Sequence, residues 1–187
     1  MTSAAEIPQA AQLLHNGGVI AYPTEAVWGL GCDPRNQAAV LRLLALKQRE
    51  VDKGLILIAA SEGQLAHYID MTSLGDAQLA AVRSSWPGPH TWIVPASESA
   101  PPWITGRHAG IAVRVSAHPE VVALCNAFGS ALVSTSANRT GDTPPEQIAA
   151  LDPRIRDGVD AVLEGESGGQ QRPTQIRDAV TGRALRT

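Results

Sequence analysis

Short apolar runs alternate with stretches of helical period along this chain, and Gly, Pro, Ser and Asn punctuate them. The run 18–22 is apolar throughout and closes at Pro23, which reads as a buried strand. Over 36–47, Val40, Leu43, Leu44 and Lys47 recur at i, i+3, i+4 and i+7, with Ala39 beside them, which predicts a helix. Residues 55–60 are apolar without alternation, the pattern of a strand covered on both faces. Residues 74–86 read as a helix capped by Ser73 and stopped by Trp86-Pro87-Gly88-Pro89. Strands are predicted over 91–95 and 111–115. A helix over 120–128 has His118 at its cap, Pro119 at its start and Gly129 just past its end. The strand 131–134 runs into a polar loop. A short helix capped by Thr143 is predicted over 144–151, and late strands over 161–164 and 175–178. The segment 165–171 joins Gly, Ser and Gln with no apolar anchor and is the expected mobile loop. Alternating strands and helices predict an α/β fold. Some connections are too short for a crossover helix, so the sheet should be mixed.

Composition narrows this picture. A chain of 187 residues with 44% hydrophobic positions fits one domain with a sizeable core, and 4% aromatics leave aliphatic side chains to fill it. The net charge of −3 argues against non-specific coating of nucleic acid, while leaving room for a local basic pocket. Cys32 and Cys125 have no disulfide or zinc spacing and read as buried thiols of a reducing cytosol. Met1 to Gln12 lacks the pattern of a signal peptide, and no stretch approaches the ~18 apolar residues that span a membrane. A cytoplasmic protein with no membrane partner is expected.

Four segments carry candidate chemistry. Lys47 continues the apolar stripe of its helix, so its side chain points toward the protein body; Arg49 and Lys53 follow before a buried strand. The three cations fit a phosphate clamp, a fork from Arg and compact charges from Lys. The alternative is a snorkelling lysine at the end of a core helix. Ser134-Thr135-Ser136-Ala137-Asn138 follows a strand and is rich in donors, which suits either phosphate oxygens or a local polar turn. In the segment 22–31, a buried strand breaks at Pro23 and offers Thr24. Gly29 and Gly31 permit close backbone approach, for a ligand or for a tight turn. Neither a Walker A loop nor a dinucleotide fingerprint is present. Arg114 lies inside an apolar strand and must be paired or face a ligand.

The five histidines, at 15, 67, 90, 108 and 118, show no metal-ligand spacing. No nucleophile elbow appears, and the candidate loops hold no paired carboxylates. Cations, hydroxyls and amides bind anions and stabilise developing charge, as phosphoryl or nucleotidyl transfer requires.

In order, Tyr-Pro-Thr-Glu at 22–25, Gly-Leu-Gly at 29–31, Lys47-x-Arg49, Trp-Pro-Gly-Pro at 86–89, Ala-Val-Arg at 112–114 and Ser-Thr-Ser-Ala-Asn at 134–138 resemble the YrdC-like threonylcarbamoyl-AMP synthases. The match runs from about Ile7 to Arg186, and the tail at 176–182 resembles the short bacterial form. The resemblance implies a single YrdC-like domain over 1–187, with a twisted mixed sheet, flanking helices and an open concave site. It implies an ATP-dependent nucleotidyltransferase that makes threonylcarbamoyl-AMP and pyrophosphate from L-threonine, bicarbonate and ATP. Mg²⁺ would travel with the nucleotide, with no protein-bound metal. Partner proteins would pass the threonylcarbamoyl group to tRNA, and tRNA or structured RNA is a further partner to consider. Lys47, Arg49, Ser136 and Asn138 match the catalytic positions; Thr24, Lys53, Thr91, Arg114 and Ser134 match positions that contact threonine or ATP. Two residues depart from the family. His90 stands where Leu or Val is usual, as a substrate contact or a strand-edge replacement. Gly54 stands where Pro is usual and loosens the turn that places Lys53. Two other functions remain in view: a non-catalytic RNA-binding module, and a carbamoyltransferase of the hydrogenase-maturation kind, whose companion segments this chain is too short to hold.

Overall fold

The computed structural model describes residues 3–170 and 174–186. The strands are β1 (Ser3–Ala5), β2 (Ile20–Pro23), β3 (Trp28–Gly31), β4 (Ile56–Ala59), β5 (His90–Pro95), β6 (Gly110–Val115), β7 (Leu132–Ser136), β8 (Ala161–Leu163), β9 (Gln175–Asp178) and β10 (Ala184–Arg186). They pair in the order β1-β8-β2-β3-β7-β4-β6-β5-β9-β10. The sheet is mixed, as the short connections require. β8 is parallel to both β1 and β2, β4 is parallel to β6 and β5 to β9, while β7 runs antiparallel to both β3 and β4.

The helices are α1 (Ile7–His15), α2 (Gln37–Lys47), α3 (Glu62–Leu65), α4 (Asp76–Ser84), α5 (Pro102–Thr105), α6 (Pro119–Phe128) and α7 (Pro153–Gly158). Strand alternation sends neighbouring side chains to opposite faces. Tyr22, Ile58 and Leu132 join Leu14 of α1 and Val121 and Leu124 of α6 in one core cluster. Ala21, Leu57 and Val133 join Val40 and Leu43 of α2 in the other. The continuous apolar runs are therefore strands buried on both faces. Cys32 and Cys125 are free and buried, and burial pushes the Cys125 thiol up to about 12. Among the described residues, no helix is long and apolar enough to cross a membrane.

Local chemistry explains the helix ends that the pattern reveals. The Asn36 side chain accepts from the Ala39 amide at 3.1 Å and starts α2. Gly129, at φ +79°, ends α6 in the left-handed region. Three expectations need correction. α4 begins at Asp76 rather than 74, because Ser73 closes a 3-10 turn (Met71–Ser73); Gln78 Oε1 accepts from the Gly75 amide at 2.8 Å. No helix spans 144–151 beyond a 3-10 turn at Ile148–Ala150; Pro145 instead offers its carbonyl to the Trp28 amide at 2.8 Å. His118 stands at the N-cap of α6, but its side chain does not cap the helix. The expected mobile loop is tied down over 165–170: Gly168 N donates to Thr24 O at 2.9 Å and Gln170 N to Glu25 O at 3.1 Å. Its last residue, Gln171, lies outside the described residues.

Candidate active site

The site follows from where strands begin and end. β4 starts opposite Ser134, so only the first part of β7 has β4 beside it; Thr135 and Ser136 pair with β3 alone. Leu55, just before β4, gives its amide to Ile104 O at 2.9 Å. A cleft of about 770 Å³ opens there, lined by Thr24, Arg49, Lys53, Arg114, Ser134 and Ser136 among others. Six of the nine site residues expected from sequence thus meet around one cavity. Gly29 lines this cavity, and Gly31, two residues on in β3, packs closely behind it in the sheet. A Cβ on Gly31 would stand 2.7 Å from the Tyr22 ring and 2.9 Å from Val133 O.

The other three, Lys47, Asn138 and Thr91, do not line the cleft. Lys47 is 3% exposed. Its ammonium donates to the main-chain oxygens of Ser136 and Asn138, the latter at 2.6 Å. Thr140 returns its amide to Lys47 O at 2.9 Å, so the loop 136–140 wraps the end of α2. Burial, then the neighbouring Arg49 charge, pulls the Lys47 pKa down to about 8. Burial likewise lowers that of Arg49. Asn138 Nδ2 donates to Asp142 O at 2.7 Å and shapes the loop. Thr91 is fully buried and accepts from Arg114 Nη1 at 3.2 Å. His90, at the start of β5, is not in the lining.

Arg114 is both paired and facing the cleft. Its Nη2 lies 3.3 Å from Glu25 Oε2, and its Nη1 donates to Thr174 Oγ1 at 2.8 Å. Glu25 Oε1 accepts from Ser116 Oγ at 2.6 Å, and Ser116 Oγ accepts from the His118 amide at 3.0 Å. His118 Nδ1 is 3.1 Å from Glu120, and its Nε2 is 3.2 Å from Glu166 O. These contacts offset part of the desolvation that a buried ion pair costs, though Glu25 Oε2 and Arg114 Nε have no hydrogen-bond partner among the described residues. Sequence reasoning gave no role to Glu25, Ser116 or Thr174. Glu25 carried a faint signal, an acid two residues after the end of a buried strand; Thr174 carried none.

Several buried polar atoms here have no hydrogen-bond partner, among them Arg49 Nε, Arg114 Nε and Asn138 Oδ1. Such atoms each cost about 1–3 kcal/mol and persist where a ligand or a conformational change can use them. Cations and hydroxyls on two sides of a cleft can hold a phosphorylated substrate and a carboxylate together.

The family model Sua5/yciO/yrdC, described as "Telomere recombination", matches residues 12–187. This chain belongs to the Sua5/YciO/YrdC family. A threonylcarbamoyl-AMP synthase of Xanthomonas campestris pv. campestris (strain B100) is 58% identical over 181 residues, 97% of either chain. Another, from Xanthomonas axonopodis pv. citri, is 54% identical over the full length of both. Among solved structures, P. abyssi Sua5 complexed with L-threonine superposes with a TM-score of 0.86 at 26% identity, over 95% of this chain and 54% of that one. The chain thus spans about half the length of that Sua5. E. coli YciO superposes with a TM-score of 0.83 at 22% identity, over 100% of this chain and 98% of that one, a likeness of fold.

Proposed function

We propose that this chain is an ATP-dependent nucleotidyltransferase that joins L-threonine, bicarbonate and ATP into threonylcarbamoyl-AMP and pyrophosphate. The observation that carries this is one cleft holding Arg49 and Lys53 beside the Ser134 and Ser136 hydroxyls, with Arg114 on the same cavity. End-to-end similarity to threonylcarbamoyl-AMP synthases supports it.

The threonine amine first takes up bicarbonate as a carbamate, releasing water. A carbamate oxygen then bonds to the α-phosphorus, the bond from that phosphorus to the bridging oxygen breaks, and pyrophosphate leaves with the electron pair. Every reactant is anionic near this centre, so the encounter is repulsive in water. Arg49 and Lys53 offset that repulsion. Ser134 and Ser136 orient phosphate oxygens, and Arg114 with Thr24 seats the amino acid. Thr24 Oγ1 donates to Val27 O at 2.7 Å, so its remaining lone pairs are what it offers a substrate amine. Lys47 and Asn138 act through the loop they hold, and Thr91 acts through Arg114. Holding reactants in line contributes up to ~7–11 kcal/mol in the best cases. Mg²⁺ would be carried by the phosphates, with the cations and hydroxyls of the cleft beside them. Transfer proteins would then deliver the threonylcarbamoyl group to tRNA in the cytoplasm.

The reading is tested by pyrophosphate release. Release is expected only when ATP, threonine and bicarbonate are all present, and release without bicarbonate or without threonine would defeat it.

A further inference from the structure

Two loops at the cleft mouth are locked together, and one of them ends in a cation that the reaction described above has not used. Arg107 lines the cleft with Arg49 and Lys53. Its amide donates to Asp52 O at 3.3 Å, and Leu55 N reaches Ile104 O at 2.9 Å. Glycine permits this approach at two points. A Cβ on Gly106, at φ +60°, would stand 2.5 Å from Asp52 O; one on Gly54, at φ +65°, would stand 3.0 Å from Thr105 O. The lock fixes the base of Arg107 beside Lys53. Arg49 Nη2 ties the same turn by donating to Gly54 O at 3.0 Å. Lys53 lies 3.7 Å from Glu50. The exposed Arg107 side chain has no hydrogen bond or ion pair among the described residues.

The cations step outward: Arg49 is half-buried, Lys53 and Arg107 exposed. The carbamate and α-phosphorus need the drier inner end, beside Ser134 and Ser136. The leaving group departs toward solvent. Resting on the proposed reaction, we infer that Arg107 binds the β- and γ-phosphates of ATP and the pyrophosphate they become, as an outer fork beside Lys53.

Dissociation constants for ATP, AMP and inorganic pyrophosphate, measured by calorimetry on wild type, Arg107→Ala and Arg107→Lys, test this. Arg107→Ala should weaken ATP and pyrophosphate roughly 10- to 100-fold, the worth of a charge-assisted contact, and leave AMP within about twofold. Arg107→Lys should recover part of the loss, since charge remains but the fork is gone. Equal weakening of AMP, or unchanged ATP and pyrophosphate binding in Arg107→Ala while wild type binds both, overturns the inference alone. A wild type that binds neither ATP nor pyrophosphate overturns the proposed reaction and the inference with it. Unchanged thermal midpoints in both variants separate lost binding from lost fold.

Discussion

An ammonium that is 3% exposed stays charged only where lone pairs surround it. Lys47 has the carbonyls of Ser136 and Asn138, yet burial and Arg49 still hold its pKa near 8. The folded protein therefore releases this proton at lower pH than the unfolded chain, whose lysine titrates near 10.5. Between those values the unfolded state binds more protons, so stability rises with pH. Urea unfolding at pH 8 and 9.5 should show wild type gaining about 1.5 kcal/mol relative to Lys47→Met, which lacks the proton. Parallel responses of the two proteins would mean Lys47 titrates normally. Lys47→Met should also lose most pyrophosphate release, because Ser136 and Asn138 lose the anchor of their loop. The apolar stripe of α2 was enough to show that Lys47 points inward. Its acceptors, 89 and 91 residues away, are main-chain oxygens, and a carbonyl carries no side-chain signature for sequence reasoning to find. Arg107 escaped for the converse reason: an exposed arginine after a glycine looks like any solvated turn.

Elements with their own caps were legible. α2 has Asn36, and α6 has Pro119 and Gly129. β3 was not, because Gly29 and Gly31 have little strand preference; its form comes from lying between β2 and β7, a tertiary cause. α1 also went unread, although its buried side chains, Ala10, Ala11 and Leu14, stand at helical spacing. The glycines separate two kinds of backbone constraint. Gly129 has open space around the position of a Cβ, so alanine there meets only the left-handed penalty of about 1–2 kcal/mol. Gly106 adds a collision with Asp52 O and Gly54 N, at 2.5 and 2.7 Å. Gly106→Ala should therefore cost more than Gly129→Ala, by about 1 kcal/mol or above, in urea unfolding followed by circular dichroism. It should also weaken ATP binding, because Lys53 and Arg107 stand on the loops that must part; Gly129→Ala should leave ATP binding unchanged. Equal stability losses would show that the two loops yield easily and do not hold the cations in place.

Across the whole molecule, most strands were readable but their order was not. β8 is inserted between β1 and β2, and β7 between β3 and β4, through pairings far apart in sequence. That order creates the cleft, which is why sequence reasoning named six residues of its lining yet not its position. One ion pair spans the opening. Glu25 follows β2, Arg114 lies in β6, and β3, β7 and β4 separate those strands in the sheet. Glu25 O also accepts from Gln170, and Arg114 reaches Thr174, so both partners hold the chain on either side of 171–173. Removing one partner strands the other charge in the interior, at about 3–5 kcal/mol. Glu25→Gln and Arg114→Met should each approach that loss. The double variant buries no charge and should be more stable than the sum of the two losses predicts, by about 1–3 kcal/mol. Activity should not follow stability. The double variant recovers part of its fold but lacks the guanidinium proposed to seat threonine, so its KM for threonine should stay as high as that of Arg114→Met. A double variant that regains threonine affinity along with stability would mean that Arg114 only braces the two sides of the cleft, and that another group binds the amino acid.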